Sequence, residues 1–300
     1  MDRLPAKHRL EDVMQNLVIF QSLWAMERRH PDCFERTLEQ NIEMIRSSDY
    51  AGVSADYSDR DFVRRLSSLL KSGALRAEAL GFPRTVDDLK PILENAVEFG
   101  VQHVTLQPNI RPRRLQECVP LIEGWQRLAE TVDFPVLIET HRDRMTSDLY
   151  FTLDLLDLFP DLQFTADLSH FLVGCEFASP ISDENHARIF RILDHAWSFH
   201  GRIASSEQVQ IEMSFPHHRV WVDIFLSWWE YGFRSWRQRA KPDETMVFTC
   251  ELGPQPYAIT GRDGGDTTDR WAEALMMKQM VEELWLRTGR ETNSFPEKTL

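Results

Sequence analysis

The 300-residue chain lacks the features that mark several large protein classes. No apolar run approaches the roughly 18 residues that a membrane-spanning helix needs. The opening stretch MDRLPAKHRLEDVMQN has no apolar signal-peptide core. The expectation is a cytoplasmic protein with no membrane partner. Cysteine is scarce: Cys33, Cys118, Cys175 and Cys250 are far apart and form no CxxC pair, which reads as four reduced, mostly buried thiols. Basic residues are outnumbered, 34 Lys and Arg against 47 Asp and Glu. The formal net charge of −13 repels a phosphate backbone and counts against nucleic acid as a partner. Internal repeats, low-complexity segments and dividing linkers are also missing. Residues 1–300 therefore read as one domain, with a short N-terminal extension over 1–16 and a C-terminal tail from about 288 to 300.

What the chain does have is alternation. Short apolar runs are followed, one after another, by longer segments of helical period, the pattern of a parallel sheet with crossover helices. The runs are LVIFQSLWAM, YAGVSAD, LRAEALGF, HVTLQPN, FPVLIET, LQFTADLSH, SFHGRIAS and MVFTCELG. The helix after YAGVSAD should close at Gly73, and the one after LRAEALGF at Gly100. Eight strand–helix units give an α/β chain folded as a single (β/α)8 barrel, the TIM-barrel architecture. A doubly wound open sheet is the alternative, but the glycine-rich fingerprint it would carry after the first strand is absent. The Trp-rich segment Trp221–Trp236 keeps helical spacing and belongs either to the core or to a subunit interface, the latter favouring a homodimer.

Four polar clusters interrupt the ends of strands five to eight: Glu139 in VLIETHRDR, Asp167 with His170 in FTADLSH, His200 with Arg202 in SFHGR, and Glu251 in VFTCELGP. In such a barrel the carboxyl ends of the strands converge on one mouth. Three carboxylates gathered there would repel one another and raise each other's pKa unless a cation were present. One divalent metal removes the conflict. Mixed oxygen and imidazole ligation suits Mn, Co, Zn, Mg or Fe alike. The competing reading makes each residue a solvated loop group or a salt-bridge partner.

The neighbours of these residues carry further expectations. Side chains alternate along a strand, so Glu139 and His141 should both face inward with Arg142 turned away, and Arg202 should share the direction of His200. Arg142 and Arg144 could bind an anion bidentately or simply neutralise an acidic mouth. Gln107 and Asn109, ending strand four, could hydrogen-bond a polyol or only shape a turn. Glu78 and Trp24 could wall the pocket. Cys250, beside Glu251, reads as a packing residue. GRDGGD at 261–266 lacks the ending of a phosphate loop and reads as a mobile loop over the mouth.

From about Leu17 to Trp285 the chain resembles the xylose isomerase-like TIM-barrel superfamily, the sugar phosphate isomerase/epimerase group. The residues that carry the resemblance are ETHRDR at 139–144, DLSH at 167–170, HGR at 200–202 with EQV at 207–209, and ELGPQPY at 251–257. It implies a single metal held by Glu139, Asp167, His200 and Glu251. Substrate would be held by His170, Arg202, His141 and Gln107, and Glu139 and Glu251 would share the acid–base work. The implied substrate is a small carbohydrate-like molecule. Two departures, IASSEQVQ after Arg202 and the GRDGGDTTD loop, bear on the substrate rather than on the metal. The same superfamily contains AP endonuclease-like phosphodiester hydrolases, which gather three metals with extra ligands from early strands, at positions that here are Ser54 or Asp56 and Glu78. A non-catalytic metabolite-binding barrel is the third reading.

Overall fold

The computed structural model describes residues 15–29 and 35–292, the side chains of 290–292 excepted. Cys33 and most of the N-terminal extension lie outside the described residues. Eight parallel strands, β1 (Asn16–Ser22), β2 (Gly52–Asp56), β3 (Arg76–Gly81), β4 (His103–Leu106), β5 (Val136–Glu139), β6 (Phe164–Ala166), β7 (Ala196–Gly201) and β8 (Thr245–Cys250), close into a barrel in sequence order. Closure is made by β1 against β8, from Asn16 opposite Thr245 to Gln21 opposite Cys250. The expected (β/α)8 architecture is therefore the observed one.

The helices are α1 (Leu38–Ser47), α2 (Arg60–Gly73), α3 (Leu89–Phe99), α4 (Leu115–Ala129), α5 (Leu149–Leu158), α6 (Ser169–Gly174), α7 (Asp183–Leu193), α8 (Arg219–Arg239) and α9 (Arg270–Thr292). Local chemistry sets their ends. Thr37 and Gln40 form a reciprocal capping box at the start of α1, and Asp59 accepts from Asp61 and Phe62 at the start of α2. Gly100 closes α3 with φ +82° as expected. At the end of α2 the left-handed position falls on Ala74 (φ 54°), and Gly73 is still helical. The last helix continues to Thr292, past the start expected for the C-terminal tail.

Two further differences concern elements near the mouth. The sixth strand is only three residues long, and the LSH expected to finish it instead opens α6. On α8, Trp228, Trp229 and Trp236 are buried. Trp229 meets Phe248 of β8 edge-on at 5.0 Å, so these three aromatics are core, while Trp221 is half-buried. Cys118 and Cys250 are buried free thiols, and Cys250 Sγ lies 3.7 Å from the Ala274 carbonyl. No helix among the described residues is long and apolar enough to cross a membrane.

Candidate metal centre

The strand ends deliver a closely packed group. Glu139, His200 and Glu251 each offer a ligand atom, and the three atoms all lie within 4.8 Å of one another. His200 Nδ1 is 3.3 Å from Glu139 Oε1 and 3.2 Å from Glu251 Oε2. All three side chains are buried. Both Glu139 oxygens, His200 Nδ1, Glu251 Oε2 and Asp167 Oδ2 have no hydrogen-bond partner of good geometry. Buried polar atoms are nearly always satisfied, so a group of carboxylate and imidazole atoms whose contacts are ion pairs rather than well-formed hydrogen bonds fits a divalent cation. By donor type, Glu139, Asp167, His200 and Glu251 could hold it.

Asp167 is the least committed to the group. Its Oδ1 accepts from the Ser169 amide at 3.0 Å and hydroxyl at 2.5 Å. Its Oδ2 is 3.3 Å from Arg202 and 3.4 Å from His170. Its backbone is pinned to the end of β5 by reciprocal bonds with Thr140, Asp167 N donating to Thr140 Oγ1 and Thr140 Oγ1 to Asp167 O, each 2.9 Å.

Arg202 does face the way His200 does, but among acids rather than into the cavity. It is buried, pairs with Glu251 Oε2 at 3.0 Å, donates through Nε to the Glu251 carbonyl at 3.1 Å, and lies over Tyr257 at 4.6 Å and Trp24 at 5.6 Å. A guanidinium can only donate, so its 3.3 Å contact makes His170 Nε2 an acceptor. The proton of His170 is then on Nδ1, which is buried and unpartnered. His141 packs against His170 with ring centroids 3.9 Å apart. Its own Nδ1 donates to the Arg142 carbonyl at 2.5 Å, leaving Nε2 as an acceptor. Arg142 is not turned away: β5 ends at Glu139, so strand alternation no longer governs it, and its guanidinium lies 4.8 Å over Tyr257.

One residue matters more than the sequence suggested. Glu78, in the middle of β3, is not a pocket wall but a buried anchor beneath the site. Its Oε1 accepts from Thr105 at 2.6 Å and contacts His103 Nε2 at 3.1 Å and His200 Nε2 at 2.8 Å, and its Oε2 accepts from Thr249 at 2.7 Å. It holds the His200 ring with Nδ1 facing Glu139 and Glu251, the carboxylate–histidine arrangement that orients metal ligands. The signal available in the sequence was a carboxylate inside an otherwise small and apolar strand. Tyr257, in the loop after β8, is the second unanticipated residue, because both Arg142 and Arg202 rest on its ring. Gly253 admits Trp24 to the same corner, since a Cβ there would come within 2.2 Å of the indole.

Electrostatics separates the carboxylates. Burial pushes Glu139 up to about 7; His200 opposes this, while Glu251 and Asp167 add to it. Burial acts the same way on Glu251, but His200 and Arg202 outweigh it and hold that carboxyl below its ordinary range. Burial also disfavours the Glu78 carboxylate, yet His200 and His103 keep it well below the usual value. Burial pushes His141 down to about 3 and, with the nearby arginines, keeps both His141 and His170 neutral.

The site opens into a cavity of about 580 Å³ whose lining includes Glu251, His141, Gln107, Arg144, Tyr257 and Trp24. Gln107 reaches it, whereas Asn109 accepts from Arg111 at 2.8 Å in a turn. Residues 261–266 are absent from that lining. They fold on themselves, with Gly261 N bonded to Gly265 O at 2.8 Å and Asp266 paired to Arg270.

No protein-family model matches the chain, and no curated protein matches its sequence. Solved structures do match in fold. A D-tagatose 3-epimerase-like protein superposes with a TM-score of 0.58 at 11% identity, covering 93% of this chain and 100% of its own. A xylose isomerase-like TIM barrel protein from Mycobacterium smegmatis, in complex with magnesium, gives 0.58 at 10% identity, covering 91% and 98%. An AP endonuclease, family 2, from Brucella melitensis gives 0.52 at 12% identity, covering 81% and 94%. At these identities the likeness is one of fold, and the fold this chain shares is that of the xylose isomerase-like TIM barrels.

Proposed function

We propose that this protein is a divalent-metal-dependent isomerase or epimerase that moves a proton between adjacent carbons of a small, carbohydrate-like hydroxy-carbonyl compound. One observation carries the reading: ligand atoms of Glu139, His200 and Glu251 that lack a well-formed hydrogen bond converge beside a substrate-sized cavity, whose lining includes Glu251. A divalent ion bound there supplies Lewis acidity, polarising a substrate carbonyl and acidifying the neighbouring C–H.

The chain's own groups supply the rest. His200 and Arg202 keep Glu251 a carboxylate, which makes it the group to take the C–H proton. Glu139, pushed up to about 7 in the metal-free protein, holds a proton near neutral pH that metal ligation would displace, after which its carboxylate could shuttle a proton opposite Glu251. His141 lines the cavity and offers Nε2 as an acceptor for a substrate hydroxyl, with the buried His170 packed against its ring. Arg202 fixes the His170 tautomer and neutralises Asp167. Glu251→Gln is expected to lower solvent-deuterium uptake into substrate by about 10²–10⁴-fold. Wild-type exchange would remove Glu251 from proton transfer, and a barrel that only binds a metabolite would show no exchange even before mutation.

The phosphodiesterase reading is less well supported, because it needs further metal ligands from early strands. Glu78 has both oxygens committed, Asp56 is exposed and bonded to Ser58, and Ser54 brings only a hydroxyl.

A further inference from the structure

We propose that the substrate carries a carboxylate, held by Arg142 and Arg144 on the β5–α5 loop, on a body apolar enough to lie against the β1–β4 wall. The location of the reacting atoms rests on the isomerase reading; the anion subsite is carried by other residues.

The loop holds three charges that do not balance. Arg111 takes the Asp143 carboxylate as a fork, Nε at 2.6 Å and the terminal nitrogen at 2.5 Å. That leaves Arg144 with the Asp143 carbonyl at 2.8 Å and a 3.5 Å approach to an oxygen already engaged, while its Nε is buried with no acceptor. Arg142 is half-buried, and among the described residues no carboxylate lies within ion-pair distance of it. Its guanidinium lies 4.8 Å over the Tyr257 ring. In a chain with 47 acidic residues, two half-buried guanidiniums without their own counter-charge are unusual. Charge taken out of water is costly unless paired, so an outside anion is the natural partner, and the planar donor edge of arginine matches an oxyanion.

The cluster Glu139–His141–His170 beside them could geometrically hold a second metal. Arg202 opposes that, since its guanidinium already donates to His170 Nε2 at 3.3 Å, and Arg142 and Arg144 add positive charge on the same loop as His141. The same field favours a substrate anion. Carboxylate and phosphoryl groups share this chemistry, but Glu27, Glu35 and Asp56 also line the cavity against Arg36, and that net acidity penalises a dianion more than a monoanion. Leu23, Trp24, Leu38, Phe62, Leu80 and Phe82 make up most of the remaining wall, with Asn41, Ser54 and Gln107 as its neutral polar groups, a surface that suits a flat or apolar body.

The test is ¹⁹F NMR titration of the full chain, with and without Mn²⁺, using 4-fluorobenzoate, 4-fluorobenzamide and 4-fluorophenyl phosphate. The carboxylate should bind at least about tenfold tighter than the neutral amide. R142Q or R144Q, each checked for folding by circular dichroism, should remove that advantage and leave amide binding unchanged. Equal affinity for carboxylate and amide, or arginine variants that keep the preference, would overturn the proposal. Tighter binding of the phosphate ester would overturn the carboxylate assignment. Bound Mn²⁺ should broaden the fluorine signal; a carboxylate preference without broadening upholds the anion subsite and counts against the metal reading alone.

Discussion

The two halves of the barrel mouth are built from different materials. Strands β5–β8 end in Glu139, Asp167, His200 and Glu251, with Arg202 wedged among them, and every one of these side chains is buried. Strands β1–β4 and the segments after them contribute the apolar surface of Leu23, Trp24, Leu80 and Phe82 to the cavity, with Gln107 and Asn41 as amides and Glu27, Glu35, Arg36 and Asp56 as charges. One half suits reacting oxygens and protons; the other suits the body of a molecule. The difference separates chemistry from selection: changes in the acidic half should alter metal and proton transfer, and changes in the apolar half should alter which compound binds.

Three perturbations would sharpen or break that division. Glu78→Gln should have the largest effect. It removes the charge that orients His200 without touching the cavity, and metal affinity should fall by about 10–100-fold in a competition titration. An unchanged affinity would mean that the His200 ring is held by something else. Acidification comes next. Glu139 must lose its proton to ligate, so below about 7 the proton competes with the metal. Affinity should drop by about tenfold per pH unit on going down from there, with proton release on binding seen by calorimetry in different buffers. His200 adds to the same trend: its burial opposes charge, yet Glu78, Glu139 and Glu251 together raise its pKa well above the ordinary value. Metal binding that is flat from pH 8 to 5 would contradict this account of the acidic half. Trp24→Leu should do least. Metal affinity should stay within about twofold of wild type, while ligand binding weakens by about tenfold, in line with ~1–3 kcal/mol for lost apolar contact. A large loss of metal would show that the two halves are not separable.

The acidic half was legible because each of its residues ends an apolar run, and strand ends in such a barrel face one mouth. Periodicity located all eight strands but misread LQFTADLSH: Leu168–Leu172 is apolar enough to continue a strand or begin a helix, and the pattern does not distinguish them. Alternation gave Arg202 the right direction, yet direction does not name a partner. That Arg202 meets Asp167 and Glu251 depends on how three strands register. Alternation failed for Arg142 because it lies beyond the end of β5. Glu78 was the hardest to read. Its role rests on His103, Thr105, His200 and Thr249, which come from β4, β7 and β8 and meet only once the barrel closes.

On this reading the buried atoms of Glu139, His200 and Glu251 that lack a well-formed hydrogen bond are metal ligands. The most direct measurement is metal content of the full chain, purified and dialysed at neutral pH after exposure to excess Mn²⁺, with Glu139→Gln and His200→Ala alongside. The account predicts about one ion per chain in the wild type and loss of it in both variants. A metal-free wild type under those conditions would contradict it, as would about three ions per chain.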